Sequence, residues 1–62
     1  MTVPDDIARD LERAARRIRE ATHERDRLIV KARDAGGSLR EIAELVGLSH
    51  PGVAKVLKRQ RD

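Results

Sequence analysis

Four cationic side chains near the C-terminal end form the group in this chain that is best suited to bind a ligand. They are Lys55, Lys58, Arg59 and Arg61. Residues 50–61 contain no acidic side chain, whereas residues 1–35 hold nine basic and eight acidic ones that nearly cancel. Cations without neighbouring acids suit phosphate groups, although the same charges are also typical of a solvated helix end. The location of the charge is therefore more informative than the formal net charge of +3.

The other side chains that could do chemistry are two histidines and a serine. His23 and His50 lie far apart, and without cysteine the chain offers no metal-ligand spacing. Ser49 directly precedes His50, but adjacent residues at a helix start do not converge as a nucleophile and its base. Gly36-Gly37-Ser38 lacks the lysine of a phosphate-binding loop. We therefore expect no enzyme, no cofactor, no metal site and no small-molecule substrate.

The composition excludes several classes of partner. A chain of 62 residues with 39% hydrophobic residues and no aromatic one forms at most a single small domain. Without Phe, Tyr or Trp it offers no stacking platform for RNA or single-stranded DNA. No apolar run is long enough for a membrane span, and no segment has the pattern of a secretory signal, so we expect a cytoplasmic protein. Because no disulfide can support so thin a core, we expect a homodimer or a higher homo-oligomer.

One long helix is predicted across the first half of the chain. Thr2 and Asp5 form a capping pattern, and Pro4 suits a first helical turn. Neither glycine nor proline follows before Ala35. A break near Thr22-His23, giving two shorter helices, is the alternative to a continuous helix.

Apolar residues recur at intervals of four and three along this helix and define what we term the apolar stripe. The stripe consists of Ile7, Leu11, Ala14, Ile18, Ala21, Arg25, Leu28, Ala32 and Ala35. A continuous helix of this length spans about 46 Å, which is more than so small a domain can cover. We therefore expect the first five stripe residues to form a dimer interface, with the parallel and antiparallel arrangements both open.

The second half of the chain predicts two short helices around a three-residue turn. Gly36-Gly37 indicates the end of the long helix, and Ser38 with Glu41 forms a capping box for the next one. Gly47 ends that helix, and Ser49 caps the last. The apolar residues expected to face inward are Leu39, Ile42, Ala43, Val46, Val53, Val56 and Leu57.

The spacing within residues 38–57 resembles the helix-turn-helix DNA-binding module of resolvase-type recombinases, region four of sigma factors and many small bacterial repressors. The resemblance lies in Ala43, where the helices cross closely, in Gly47 within the turn, and in Val53 six residues later. Further apolar positions that match are Ile42, Val46, Leu48 and Val56. The implied fold is all-α: residues 1–35 form the dimerising long helix and third core helix, and residues 38–60 form the DNA-binding module.

The resemblance implies that the last helix is the recognition helix, which enters the major groove of double-stranded DNA. Carried over by position, the DNA-binding residues are Ser49, His50, Pro51, Gly52, Ala54, Lys55, Lys58 and Arg59. Ser49 and the neighbouring amides would meet a phosphate, while Pro51 and Gly52 would allow close backbone approach. The expected function is that of a homodimeric transcriptional regulator in the nucleoid.

Two alternatives remain at this point. The predicted recognition helix has few side chains that distinguish bases, since only His50 and Lys55 could donate to base edges and Gln60 comes late. That favours a nucleoid-associated protein of low sequence specificity. A protein-interaction module that docks on RNA polymerase or a toxin is the other alternative. Arg16, Arg17 and Arg19 could add a second DNA contact or form a solvated face with neighbouring acids.

Overall fold

The computed structural model describes residues 2–61, and within this range the chain forms three helices and no strand. Helix α1 spans Asp5–Asp34, α2 spans Leu39–Val46, and α3 spans His50–Arg61. The predicted all-α fold, with a long first helix and two short ones, is confirmed. None of the described helices is long and apolar enough to cross a membrane.

The start of α1 differs from the predicted cap. Pro4 stands at the N-cap with φ −55° and ψ 144°, and no side chain caps the helix by a hydrogen bond. The Ala8 amide donates to the Pro4 carbonyl oxygen at 2.8 Å. The predicted Thr2 cap is therefore wrong, because proline already holds the backbone in the extended conformation that the N-cap requires. Asp5 and Asp6 occupy the first turn, where carboxylates stabilise the positive end of the helix dipole.

Helix α1 runs through Thr22-His23 without a break for 30 residues, so the prediction of one continuous helix is confirmed. It ends in a Schellman motif, in which Gly36 adopts φ +99°. The Gly36 amide donates to the Arg33 carbonyl, and the Gly37 amide to the Ala32 carbonyl, both at 3.0 Å. The Gly36-Gly37 stop is thus confirmed, and its geometry sets the direction in which the chain leaves α1.

The predicted caps of the short helices form, with one difference. Ser38 Oγ accepts a hydrogen bond from the Glu41 amide at 3.1 Å. Among the hydrogen bonds of residues 2–61, the return bond to the Glu41 carboxylate is absent, so half of the capping box forms. Gly47 ends α2 in the left-handed conformation at φ +72°. The Ala43 carbonyl accepts from Gly47 at 2.9 Å and from Leu48 at 3.2 Å, which closes the three-residue turn.

The hydrophobic core lies where the C-terminal part of α1 meets α2 and α3. Its buried residues are Ile29, Ile42, Ala43, Val53 and Val56. Partly buried apolar residues surround it, namely Ala32, Leu39, Val46, Leu48 and Leu57. The contributions of α2 and α3 match the prediction. Ile29 was not predicted, because it lies beside the apolar stripe and not on it.

Helix α1 extends well beyond this core. The described chain measures 48 × 18 × 18 Å, and its radius of gyration of 15.6 Å exceeds the ~10.6 Å of a compact chain of this length. Every residue from 9 to 21 is exposed. The first half of the apolar stripe is therefore uncovered in the single chain, and its role as a dimer interface stays a prediction.

The turn after α2 provides a test of the backbone geometry. Gly47→Ala is expected to destabilise the fold by about 1–2 kcal/mol, because an L-residue is strained in the left-handed conformation. An added Cβ would meet no atom within 4 Å, so the loss comes from the backbone alone. The measurement is thermal unfolding followed by circular dichroism. Gly47→Asn is the control, since asparagine tolerates this conformation, and an equal loss in both variants would contradict the explanation.

Candidate nucleic-acid interface

Helix α3 separates a buried face from a cationic outer face. Val53 is 0% exposed and Val56 lies beside it in the core, which fixes the rotation of α3 about its axis. Residues on the opposite side of the helix therefore point to solvent. The predicted DNA-binding residues of α3 that are exposed are His50, Pro51, Ala54, Lys55, Lys58 and Arg59.

The four cations of α3 have two different environments. The Arg61 guanidinium forms an ion pair with the Asp34 carboxylate, which joins the end of α3 to the end of α1. Lys55, Lys58 and Arg59 form no ion pair with any residue in the range 2–61. Three cations of the outer face are thus available to an anionic partner, while Arg61 has a structural role.

The first turn of α3 has fewer free donors than an ordinary helix start. Ser49 Oγ accepts the Gly52 amide hydrogen at 3.1 Å, which confirms the predicted cap. The Ser49 carbonyl accepts the Val53 amide hydrogen at 3.0 Å. Pro51 has no amide hydrogen. The Ser49 hydroxyl hydrogen and the His50 amide therefore remain available to a phosphate.

Gly52 has a different orientation from the other predicted contact residues. It is half-buried, and a Cβ at this position would lie 3.2 Å from Ser49 Oγ and 3.5 Å from Leu48 Cβ. The absence of a side chain lets the turn pack tightly against α3. Pro51, by contrast, is exposed and lies on the outer face.

The outer surface of α2 does not extend the cationic face. Arg40 and Glu44 form an exposed i to i+4 pair at 3.5 Å. Glu41 is exposed as well, so the outer surface of α2 carries more acid than base. The cationic surface next to the turn is therefore confined to α3.

A partly buried ion pair on α1 was not predicted from the sequence. Asp26 is 6% exposed, and its Oδ1 accepts from Arg25 Nε at 3.1 Å and from Nη2 at 2.8 Å. Arg25, which interrupts the apolar stripe, is half-buried as a result. The available signal was the position of Asp26 three residues before Ile29, which places both on one side of α1.

An apolar groove between α1 and α2 was also missed. It encloses about 350 Å³ and is bordered on α1 by Leu28 and Ala32 and on α2 by Leu45. Leu45 is 79% exposed at its edge. Leu45 was not among the predicted inward-facing residues, and its position beside Val46 widens the apolar face of α2. The groove continues the line of the apolar stripe along α1.

Within residues 2–61, no cluster of three or more His, Asp or Glu side chains is arranged to hold a metal ion. No protein-family model, curated protein or solved structure matches the chain.

Proposed function

We propose that the chain is a homodimeric helix-turn-helix protein that binds double-stranded DNA with sequence preference and regulates transcription. The observation that carries this proposal is the outer face of α3, where Lys55, Lys58 and Arg59 are exposed and have no acidic partner within residues 2–61. In this proposal α3 is the recognition helix, and α2 with the turn holds it in a fixed orientation.

The dimensions of α3 suit the major groove. Its 12 residues make a rod of about 18 Å, and the groove of B-DNA is wide enough to admit one α-helix. The first two turns present His50 and Lys55 to base edges, and Ala54 to a thymine methyl group. Lys58 and Arg59, in the later turns, contact phosphates and set the register along the duplex.

The rigidity of the module supports this role. The core fixes α3 through Val53 and Val56, while the Arg61–Asp34 pair attaches its far end to α1. The Gly47 turn and the Ser49 cap fix its near end. A helix held at both ends loses little further backbone freedom on binding, so ordering costs are confined to its side chains.

Dimerisation supplies affinity that one module lacks. Three available cations can neutralise only a few phosphates, and binding that depends on so few contacts is weak at physiological salt. Two copies double the contacts, and the uncovered apolar stripe of α1 provides the surface that joins them. The same association removes the exposed Ile7, Leu11 and Ile18 from water.

The limited base-reading capacity of α3 favours one second candidate, a nucleoid-associated protein that coats DNA with little sequence preference. His50 and Lys55 are the exposed polar residues in the first two turns of α3. A helix with so few donors relies in part on the shape and deformability of the duplex.

Fluorescence anisotropy with a labelled genomic fragment tests the proposal. We expect duplex binding at low salt and a complex that survives an excess of random competitor duplex. Complete displacement by the random duplex would favour the nucleoid-associated alternative. Absence of any duplex affinity at low salt would overturn DNA binding and favour a protein-interaction module.

A further inference from the structure

The apolar stripe of α1 and the groove between α1 and α2 form one continuous surface, and we propose that a second copy of this chain covers both in an antiparallel arrangement. The N-terminal part of each α1 then lies in the groove of the other copy. This inference rests on the homodimer of the proposed function and specifies which surfaces meet.

Side-chain size along the apolar stripe indicates the register. In an antiparallel coiled coil, each core layer pairs residues whose numbers have a constant sum. With a sum of about 39, the layers are Ile7 against Ala32, Leu11 against Leu28, Ala14 against Arg25, and Ile18 against Ala21. Each alanine of the stripe in these layers faces a larger side chain, so the two helices interdigitate. The half-buried Arg25 then faces Ala14 of the second copy, whose small side chain leaves room for the pairing of Arg25 with Asp26.

The charges beside the stripe favour the same register. Asp10, Arg17, Glu24 and Lys31 each precede a stripe residue, and all four are exposed. The register places Arg17 against the second copy's Glu24, and Asp10 against its Lys31, and symmetry repeats each pair. A slide by one heptad in one direction places the Arg17 residues of the two copies against each other. A slide in the other direction places the two Glu24 residues against each other. Both slides therefore exchange attraction for repulsion.

Other arrangements leave the surface less well covered. In a parallel pair, the Arg25 residues of the two copies would lie against each other. Asp10 and Arg17 would face Ala15 and Thr22, which carry no opposite charge. An antiparallel slide by two heptads would restore one attractive pair, Asp10 with Arg17 in one direction and Glu24 with Lys31 in the other. The first slide would leave the groove and Leu28 exposed, and the second would leave Ile7 and Leu11 exposed.

The proposed register also covers the groove. Leu28 and Leu45 border it and are 54% and 79% exposed. The layers bring Leu11 and Ile7 of the second copy next to Leu28 and Ala32. Leu11 and Ile7 of the second copy thus enter the apolar groove, and this contact removes their side chains from solvent.

Cysteine cross-linking without DNA tests the arrangement, and the chain has no native cysteine to interfere. Leu11→Cys and Leu28→Cys chains are mixed and treated with a short bis-maleimide. We expect Leu11→Cys to link to Leu28→Cys and neither variant to link to itself, since the two Leu11 positions lie about 26 Å apart along the helices. Self-linking of either variant, or absence of any link, would overturn the inference.

A charge exchange provides a second measurement with milder substitutions. Arg17→Glu is expected to weaken dimerisation about tenfold in sedimentation equilibrium, because it converts two attractive pairs into repulsive ones. Adding Glu24→Arg is expected to restore the wild-type constant. The two residues lie about 10.5 Å apart within one helix, too far to pair directly, so the rescue reports contact between copies. Arg13→Glu, on the outer face of α1, is the control and leaves the constant unchanged.

The outcomes separate this inference from DNA binding. If Asp10→Arg restores the Arg17→Glu variant and Glu24→Arg does not, the two-heptad slide is correct and the inference fails. A wild-type chain that binds duplex but shows the wrong cross-links also contradicts the inference alone. The expected cross-links in a chain without duplex affinity would instead contradict the proposed function alone.

Discussion

Replacing Lys55 and Lys58 together by alanine is expected to weaken duplex binding by at least about a hundredfold at moderate salt. Both side chains are exposed on the outer face of α3, and neither forms an ion pair within residues 2–61. Each lost phosphate contact lowers the magnitude of the negative slope of log K against log salt by about 0.9. A dimer loses the two phosphate contacts of Lys58, so the magnitude of the slope is expected to fall by about 1.8, while the loss of Lys55 removes its contacts with base edges. The measurement is a salt titration of duplex affinity by fluorescence anisotropy.

The matched control is Arg9→Ala with Arg13→Ala. Both arginines are exposed on the part of α1 that extends beyond the core, and their removal lowers the formal charge of +3 by the same two units. We expect this variant to keep most of the affinity. Equal losses in the two variants would show that net charge alone attracts DNA. Unchanged binding of the lysine variant would remove α3 from the interface.

Local signals in the sequence predicted most of the short-range structure. Ser38 and Ser49 cap their helices by hydrogen bonds to the backbone three residues later, and Gly36 and Gly47 adopt the left-handed conformation that ends a helix. Such features depend on a few neighbouring residues. The exception is Thr2, whose capping pattern competes with Pro4, which already has the N-cap conformation. When two local signals compete, spacing alone does not decide between them.

Features that depend on contacts between distant residues were not predictable in the same way. Asp34 and Arg61 are 27 residues apart and meet because α3 ends beside the end of α1. Asp26 is buried because it shares a side of α1 with Ile29, which faces the core. Periodicity located the apolar stripe but did not show which part is covered within the chain.

The candidate site likewise combines features that the local sequence predicts with features that depend on contacts between distant residues. The outward orientation of Lys55 and Lys58 follows from the burial of Val53 and Val56, whose spacing was visible in the sequence. The inward orientation of Gly52 was not visible, because it depends on how closely Leu48 and the turn approach α3. The exposed outer face of α3 therefore includes fewer residues than the predicted DNA-binding set, because Gly52 is half-buried.

The thin core makes the fold sensitive to a single buried charge. Val53→Asp is expected to abolish cooperative unfolding, because Val53 is 0% exposed among the buried residues that join the three helices. An unpaired carboxylate there costs several kcal/mol, while a domain of this size is stable by only about 3–5 kcal/mol. The measurement is thermal unfolding followed by circular dichroism at neutral pH.

Ala54→Asp is the matched control, since it adds the same charge one residue further along α3 at an exposed position. We expect this variant to keep a cooperative transition near that of the wild type and to lose duplex affinity, because it places a negative charge in the groove of a polyanionic duplex, where Ala54 is proposed to face a thymine methyl group. Val53→Asp is expected to lose both. A cooperative transition in Val53→Asp would contradict the proposed core, and full duplex affinity in Ala54→Asp would contradict the proposed recognition face. The pair of variants thus separates the stability of α3 from the chemistry of its outer surface.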